Sequence, residues 1–430
     1  MNITSIFRYR KNDSPQRKGM RVAVYEGAVA VVITYLLAPP FLTAYLLYLG
    51  ANSQQIGIVL AIPALANLLQ MITAALLQRF PNRKAVYIFF GSIHRVAAVA
   101  TGAVPFLFPK ELWIPVYIAM FGIASVSTSM LNVVWSSLIS DMVPEQVRGS
   151  YFGFRNIVGG ATGSLFMFTM GVVLDRFPGA EGFYIIYAVG IAAAVANIIL
   201  FTLYPNPKFE RSKSASAAGH LSVPFRDGAF LRVLLFLTGW TLLANLAFPF
   251  FSYVMLDVLG IGYQAVSTLT ILQTFAAMAG YYVWGRLSVR YSTRTLLLRS
   301  LPVIAAACLA WGAMAALPAI AVLVAVVILT GFGTGANAQV VFIYVIGETP
   351  KADRPAYIGA YYTITGIAGF LGPTAGGAVF EALRDAPLWV QSYGVFLAVG
   401  AALLTLALAI GPRVFRGRPA PRGASGSARG

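Results

Sequence analysis

Apolar residues fill long, nearly unbroken stretches of this chain, and polar residues are confined to short corners between them. Twelve such runs occur, at 22 to 49, 53 to 78, 85 to 108, 113 to 140, 151 to 174, 183 to 204, 229 to 256, 263 to 284, 294 to 316, 318 to 345, 355 to 382 and 388 to 411. Stretches such as "IAAAVANIILFTL" show none of the strict alternation of a membrane β-strand. A hydrocarbon core takes roughly 20 apolar residues per helix, and backbone groups in lipid are satisfied only within the segment itself. The pattern therefore predicts an all-α membrane protein with twelve transmembrane helices. The first run is about twice the length of a signal peptide's apolar region and is read as a retained helix.

Composition agrees: 58% of the residues are hydrophobic, 10% are charged, and mean hydropathy is +0.76. A soluble domain of this size carries far more charge. The formal net charge is +17, and its placement matters more than its size. Under the twelve-helix topology, 27 of the 31 Lys and Arg lie on the side that holds both termini; Lys110, Arg176 and Arg384 lie on the other, and Arg95 lies within the third run. The positive-inside rule makes the basic side cytoplasmic and predicts an inner-membrane protein with both termini inside. The basic residues are scattered over short segments without interleaved aromatics, which argues against a nucleic-acid groove. Cys308 is the single cysteine and His94 and His220 the two histidines, so neither a disulfide nor a metal cluster is expected. No cofactor motif is present, and no Walker-type loop suggests ATP drive.

The polar corners repeat. "SDMVPEQVRGSYFGFRN" at 140 to 156 aligns with "GETPKADRPAYIGAYYT" in the second half at a constant separation of 206 residues. Pro144 matches Pro350, Arg148 matches Arg354, Tyr151 matches Tyr357 and Gly153 matches Gly359; the register continues through Gly160 and Gly366, Gly163 and Gly369, Leu165 and Leu371, and Gly171 and Gly377. A second pair of loops shares Arg79 with Arg290 and Arg83 with Arg294, and the first and seventh runs share Pro39 and Pro249 at mid-depth. With six helices in each copy, both enter the membrane in the same direction, which is a parallel repeat. The expected organisation is a basic cytoplasmic segment (1–21), a six-helix bundle (22–204), a cytoplasmic linker (205–228), a second six-helix bundle (229–411) and a disordered basic tail (412–430).

These loops resemble those of the major facilitator superfamily over essentially the whole chain. The family's loop between helices 2 and 3 reads Gly-x-Leu-x-Asp-Arg-x-Gly-x-Arg-Lys. Here Leu76, Arg79, Arg83 and Lys84 match, while Ala74 and Pro81 replace the glycines and Gln78 replaces the acid. In the second copy Gly285, Leu287, Arg290 and Arg294 match and Val289 takes the acidic position. The missing acids put an ordinary cytoplasmic charge lock in doubt. The Gly-Pro-x-x-Gly-Gly bend of drug antiporters appears in run 11 as Gly372, Pro373, Gly376 and Gly377, whereas the family carries it in helix 5; close packing by glycine is the simpler reading.

The resemblance implies a transporter that works by alternating access, with a central cavity lined by helices 1, 4, 7 and 10. It implies no enzymatic activity. Pro39, Pro40 and Pro249 interrupt two of those helices at depths where broken backbone is tolerated only against protein or water. Arg95 is an intramembrane charge and hence a functional candidate, with Glu26 or Asn67 and Gln70 as alternative partners. His94 is a proton shuttle or, more simply, a packed histidine. Glu26 is the one acid near the body of the first four helices and is the candidate for proton coupling, or the partner of Arg155 or a loop arginine. Asp175 and Asp257 are read as solvated caps. Asn132, Trp135, Trp240, Asn245, Asn337 and Gln339 offer the amides and indoles that orient a small organic solute, although each also suits a plain interhelical hydrogen bond. Arg155 is paired in the repeat with Tyr361, which hints at a specific task or a gate. The resulting expectation is a monomeric secondary transporter of a small anionic or zwitterionic solute, coupled to protons and surrounded by lipid. A drug or metabolite efflux permease and a transport-inactive scaffold or sensor are the alternatives.

Overall fold

The computed structural model describes residues 14–70, 82–206, 223–287, 290–347 and 354–415. Among the described residues all regular structure is helical. In chain order the principal helices are α1 (Pro15–Leu36), α2 (Phe41–Tyr48), α3 (Ser53–Asn67), α4 (Arg83–Ala100), α5 (Trp113–Met142), α6 (Glu145–Arg176), α7 (Ala180–Thr202), α8 (Gly228–Ala247), α9 (Tyr263–Leu287), α10 (Thr293–Ala310), α11 (Ala319–Gly347), α12 (Arg354–Ala382) and α13 (Val395–Thr405). Among the described residues, nine helical stretches are long and apolar enough to cross a membrane. The runs that fall outside this set are also helical where described, as α3, α9 and α11.

Side chains such as Leu165 (66% exposed), Ile157 (61%) and Ile199 (57%) point outward along the spans. Apolar exposure on this scale belongs to a protein whose surroundings are themselves apolar.

The helix starts follow local rules. Ser14 caps α1 by accepting from the Arg17 backbone N–H, with Pro15 next in the chain, and Asn82 caps α4 through Ala85. Asn52 and Gln55 form a reciprocal capping box at α3, which satisfies two otherwise unpaired N–H groups. The prolines break the runs where expected. The first run stops at Leu36 and resumes at Phe41 across Pro39 and Pro40, neither of which has an N–H to donate. Pro249 sits in a 3-10 turn, Phe248–Phe250, that ends α8. Two boundaries differ from the sequence expectation: helix extends back to Pro15 within the segment 1–21, and Gly411–Phe415 is helical beyond 411. Both extensions keep apolar residues, Met20 and Phe415, in the interior.

Two compact units are present. One comprises Met1–Lys213, Pro249–Ile271 and Pro373–Asp385; the other comprises Ser214–Phe248, Leu272–Gly372 and Ala386–Gly430. The segments Pro249–Ile271 and Pro373–Asp385 cluster with the first unit.

Within the first unit a core of Met20, Val24, Tyr87, Leu131, Val134, Leu138, Tyr151, Phe201 and Tyr204 joins α1, α4, α5, α6 and the end of α7. Repeat-related Tyr151 and Tyr357 behave alike within their own units. The Tyr151 hydroxyl donates to the Met20 carbonyl at 2.8 Å, and that of Tyr357 to the Asp227 carboxylate at 3.2 Å.

Candidate functional site

The first unit encloses a small buried cluster of charged side chains. Glu26 on α1 is 4% exposed and Arg95 on α4 is 4% exposed. Arg95 Nη2 lies 3.9 Å from Glu26 Oε1, and Arg155 Nη2, from α6, lies 3.5 Å from Glu26 Oε2. The Tyr204 hydroxyl donates to the same Oε2 at 3.3 Å. Asn197 on α7 closes the arrangement: its Oδ1 accepts from Arg95 Nε at 2.8 Å, and its Nδ2 donates to the Glu26 carbonyl at 3.0 Å. One carboxylate therefore faces two guanidiniums. Isolated, each of these charges carries a desolvation cost of several kcal/mol, and only the mutual pairing offsets it.

Arg155 differs from Arg95 in access. Its side chain is 21% exposed, its Nε donates to the Ala23 carbonyl at 3.1 Å, and its guanidinium lies 4.6 Å from the ring centre of Trp135 on α5. That distance is a cation–π contact. Gly27, next to Glu26, makes the approach possible, because a Cβ there would lie 2.6 Å from Arg155 Nη2.

Of the sequence candidates, the fold brings together Glu26, Arg95, Arg155 and Trp135. Asn67 and Gln70 are not partners of Arg95; they bond each other at 3.0 Å. His94 pairs its Nδ1 with the Ala124 carbonyl at 2.9 Å. Asn132 is exposed on α5, and its carbonyl accepts from Ser136.

In the second unit, Trp240 is buried, and Asn245 Nδ2 donates along its own helix to the Thr241 carbonyl at 2.8 Å. Asn337 Oδ1 is buried and has no hydrogen-bond partner among the described residues. Gly372 packs against α8, where a Cβ would lie 2.7 Å from Asn245 Cβ and 2.9 Å from the Leu242 carbonyl oxygen. Pro373 lies inside α12 and does not stop it. The side chain of Gln339 lies outside the described residues, as do those of Arg148 and Arg354.

Gln78 and Arg79 also lie outside the described residues. The neighbouring Arg83 is 1% exposed and donates to the Ser137 hydroxyl at 2.6 Å, the Ser137 carbonyl at 3.1 Å and Asp141 Oδ2 at 2.5 Å. Asp141 opens the first polar corner and supplies this arginine with an acid. In the second copy Arg290 is exposed and Arg294 is half-buried at the start of α10.

Three residues were missed by sequence reasoning: Asn197, Tyr204 and Asp141. Asn197 is the one amide inside an otherwise apolar run, and that isolation was its available signal. Among the described residues no group of three or more His, Cys, Asp or Glu side chains forms a metal site.

A search of curated protein sequences found no match. Several solved structures share the fold at low identity. A mutant form of the nucleoside transporter NupG superposes with a TM-score of 0.74 at 15% identity, covering 94% of this chain and 100% of that one. A D-xylose–proton symporter gives 0.66 at 12%, covering 91% and 97%. A bacterial homologue of the iron transporter ferroportin, in an inward-facing state, gives 0.69 at 12%, covering 95% and 100%. The sequence profile described as Major Facilitator Superfamily matches residues 27–317 and 241–430, which together span nearly all of the chain. With its loop motifs, its internal repeat and its all-helical architecture, the chain belongs to the major facilitator superfamily.

Proposed function

We propose that this protein is a proton-coupled secondary transporter of a small anionic or zwitterionic solute, working by alternating access in the inner membrane with both termini cytoplasmic. The observation that carries this reading is the Glu26 cluster: one buried carboxylate against two guanidiniums, one of which is partly exposed beside Trp135. An intramembrane charge that is neither fully paired nor fully hidden marks a pathway for ions or substrate. Arg95 is held by Asn197 and serves as the fixed member; Arg155 is the member within reach of a ligand. A carboxylate or phosphate on the solute competes with Glu26 for Arg155, and a proton on Glu26 removes that competitor. Binding of the anion and of the proton then favour each other, which is a coupling of two sites through a shared partner. The Trp135 face suits an organic body attached to the anionic group. Proton symport is the activity named for one relative of this fold, the D-xylose–proton symporter.

The test starts from a thermal-shift screen of purified protein against carboxylated and phosphorylated metabolites, since ligands of the folded state raise its apparent stability. A stabilising compound is then followed in proteoliposomes. Glu26→Gln is expected to abolish accumulation driven by a pH gradient while leaving solute exchange intact, and Arg155→Ala to abolish binding. Undiminished gradient-driven accumulation by Glu26→Gln would overturn the coupling role, and stabilisation by cations alone would overturn the solute class.

A further inference from the structure

Two acids sit where helix electrostatics disfavours them. Asp175 ends α6 and Glu381 ends α12, each in the last turn, where a helix's own dipole presents partial negative charge. Glu381 Oε1 lies 3.9 Å from the exposed guanidinium of Arg384, just past the end of its own helix, and both carboxylates reach the start of another helix. Asp175 accepts from the backbone N–H groups of Tyr263 and Gln264, both at 2.8 Å, at the start of α9. Glu381 accepts from the backbone N–H of Ser53 at 3.2 Å and from its hydroxyl at 2.8 Å, at the start of α3. Each acid thus meets the positive end of another helix.

The repeat links the two contacts. Asp175 and Glu381 are 206 residues apart, the separation that aligns the polar corners, and Ser53 and Gln264 are 211 apart, the separation that aligns Arg79 with Arg290. Equivalent carboxylates therefore hold equivalent N–H groups. About one turn earlier on each acid-bearing helix lies the equivalent glycine. A Cβ at Gly171 would stand 3.0 Å from Gln264 Cα and 2.7 Å from Ser267 Oγ; one at Gly377 would stand 3.0 Å from Gln54 Cα and 2.6 Å from the Ser53 carbonyl oxygen. Side-chain-free backbone lets the helices approach closely enough for the carboxylates to reach.

We propose that Asp175 and Glu381 are a duplicated pair of ties that set the balance between the two conformations of the transport cycle. Each joins a helix of one repeat to a helix of the other, α6 to α9 and α12 to α3, on the face opposite the chain termini. A cycle that opens this face breaks both ties, and one that opens the other face keeps them. They are positioning residues and touch no substrate. The inference rests on family membership, so it stands or falls independently of Glu26.

The test uses the full chain with Cys308→Ala and spin labels at Pro178→Cys and Asp385→Cys, exposed positions in the loops after α6 and α12. Distances are measured by double electron–electron resonance. Asp175→Asn and Glu381→Gln preserve shape and remove charge. Each is expected to raise the long-distance population about 3-fold, and the double variant about 10-fold, the scale of one and two helix-terminus charge interactions. Asp175→Glu and Glu381→Asp restore the charge and are expected to return the distribution toward wild type. An unchanged distribution in the folded double variant would overturn the proposal, and so would a fall in melting temperature with no change in distances. Should the double variant fail to fold, the same readout on the two single variants decides.

Discussion

Glu26 and the pair Asp175 and Glu381 are all membrane-protein carboxylates, yet they sit in opposite kinds of place. Glu26 is buried, occurs once, and answers to two guanidinium charges. Asp175 and Glu381 lie at helix ends, occur at equivalent points of the repeat, and answer to backbone N–H groups. The repeat explains the difference. A feature required by the motion of two similar bundles appears in both copies, whereas a feature required by one cargo or one proton appears in one. Arg155 fits the second class, since its repeat partner is Tyr361.

The comparison breaks most sharply at Arg95. Truncation of Arg95 to Ala leaves Asn197 Oδ1 without its 2.8 Å donor and Glu26 without one of its two cations. Breaking a buried charge pair costs about 3–5 kcal/mol, and thermal unfolding in detergent is expected to show a loss of that order. Arg95→Lys is expected to recover little of it, because an ammonium lacks the fork that reaches Asn197 and Glu26 together. A loss within about 0.5 kcal/mol, the range of an ordinary surface substitution, would show that Arg95 contributes little to holding Glu26.

The sequence made the scaffold legible and left the partnerships hidden, for a physical reason. Hydrophobic length, Pro39, Pro249 and the doubled corners are local signals, and each predicted run is helical where described. Partnerships depend on which faces of distant helices meet. Arg95, for which the sequence offers Glu26 or Asn67 and Gln70, lies against Glu26 and also finds Asn197, about a hundred residues away, which no local signal pairs with it. Glu26 was anticipated with Arg155 because acids are so scarce here that few choices remained. Asp175 was read as a solvated cap; it does cap, but on a helix that begins nearly ninety residues later. Asp141 lies at the edge of the repeated corner, but its partner Arg83 starts a different helix, nearly sixty residues earlier, so nothing local marks the pair.

The glycines offer a smaller and more selective perturbation. Gly377→Ala drives a methyl to 2.6 Å from the Ser53 carbonyl oxygen, which is backbone and cannot swing aside. Gly171→Ala meets Ser267 Oγ at 2.7 Å, a side-chain atom that can rotate, although Gln264 Cα at 3.0 Å still crowds it. Overpacking of this kind costs about 1–3 kcal/mol, and melting temperatures are expected to place Gly377→Ala as the more damaging change. The reverse order would show that the Ser53 carbonyl is not what limits the approach of these helices.

The smallest expected effect separates the ties from each other. The start of α3 has its own cap: Asn52 Oδ1 accepts from Gln55 N–H at 2.8 Å, and Gln55 Oε1 accepts from Asn52 N–H at 3.0 Å. Residue 262, immediately before α9, is Gly and offers no side chain, so Asp175 supplies both of the acceptors found for Tyr263 and Gln264. Loss of an N-cap costs about 1 kcal/mol. Asn52→Ala alone is therefore expected to lower stability by about 1 kcal/mol without shifting the spin-label distances, since Glu381 still holds Ser53. Combined with Glu381→Gln it is expected to cost more than the sum of the single changes, because the two acceptors share one helix terminus and residues in contact are not additive. Strict additivity would show that the capping box and the tie act on α3 independently.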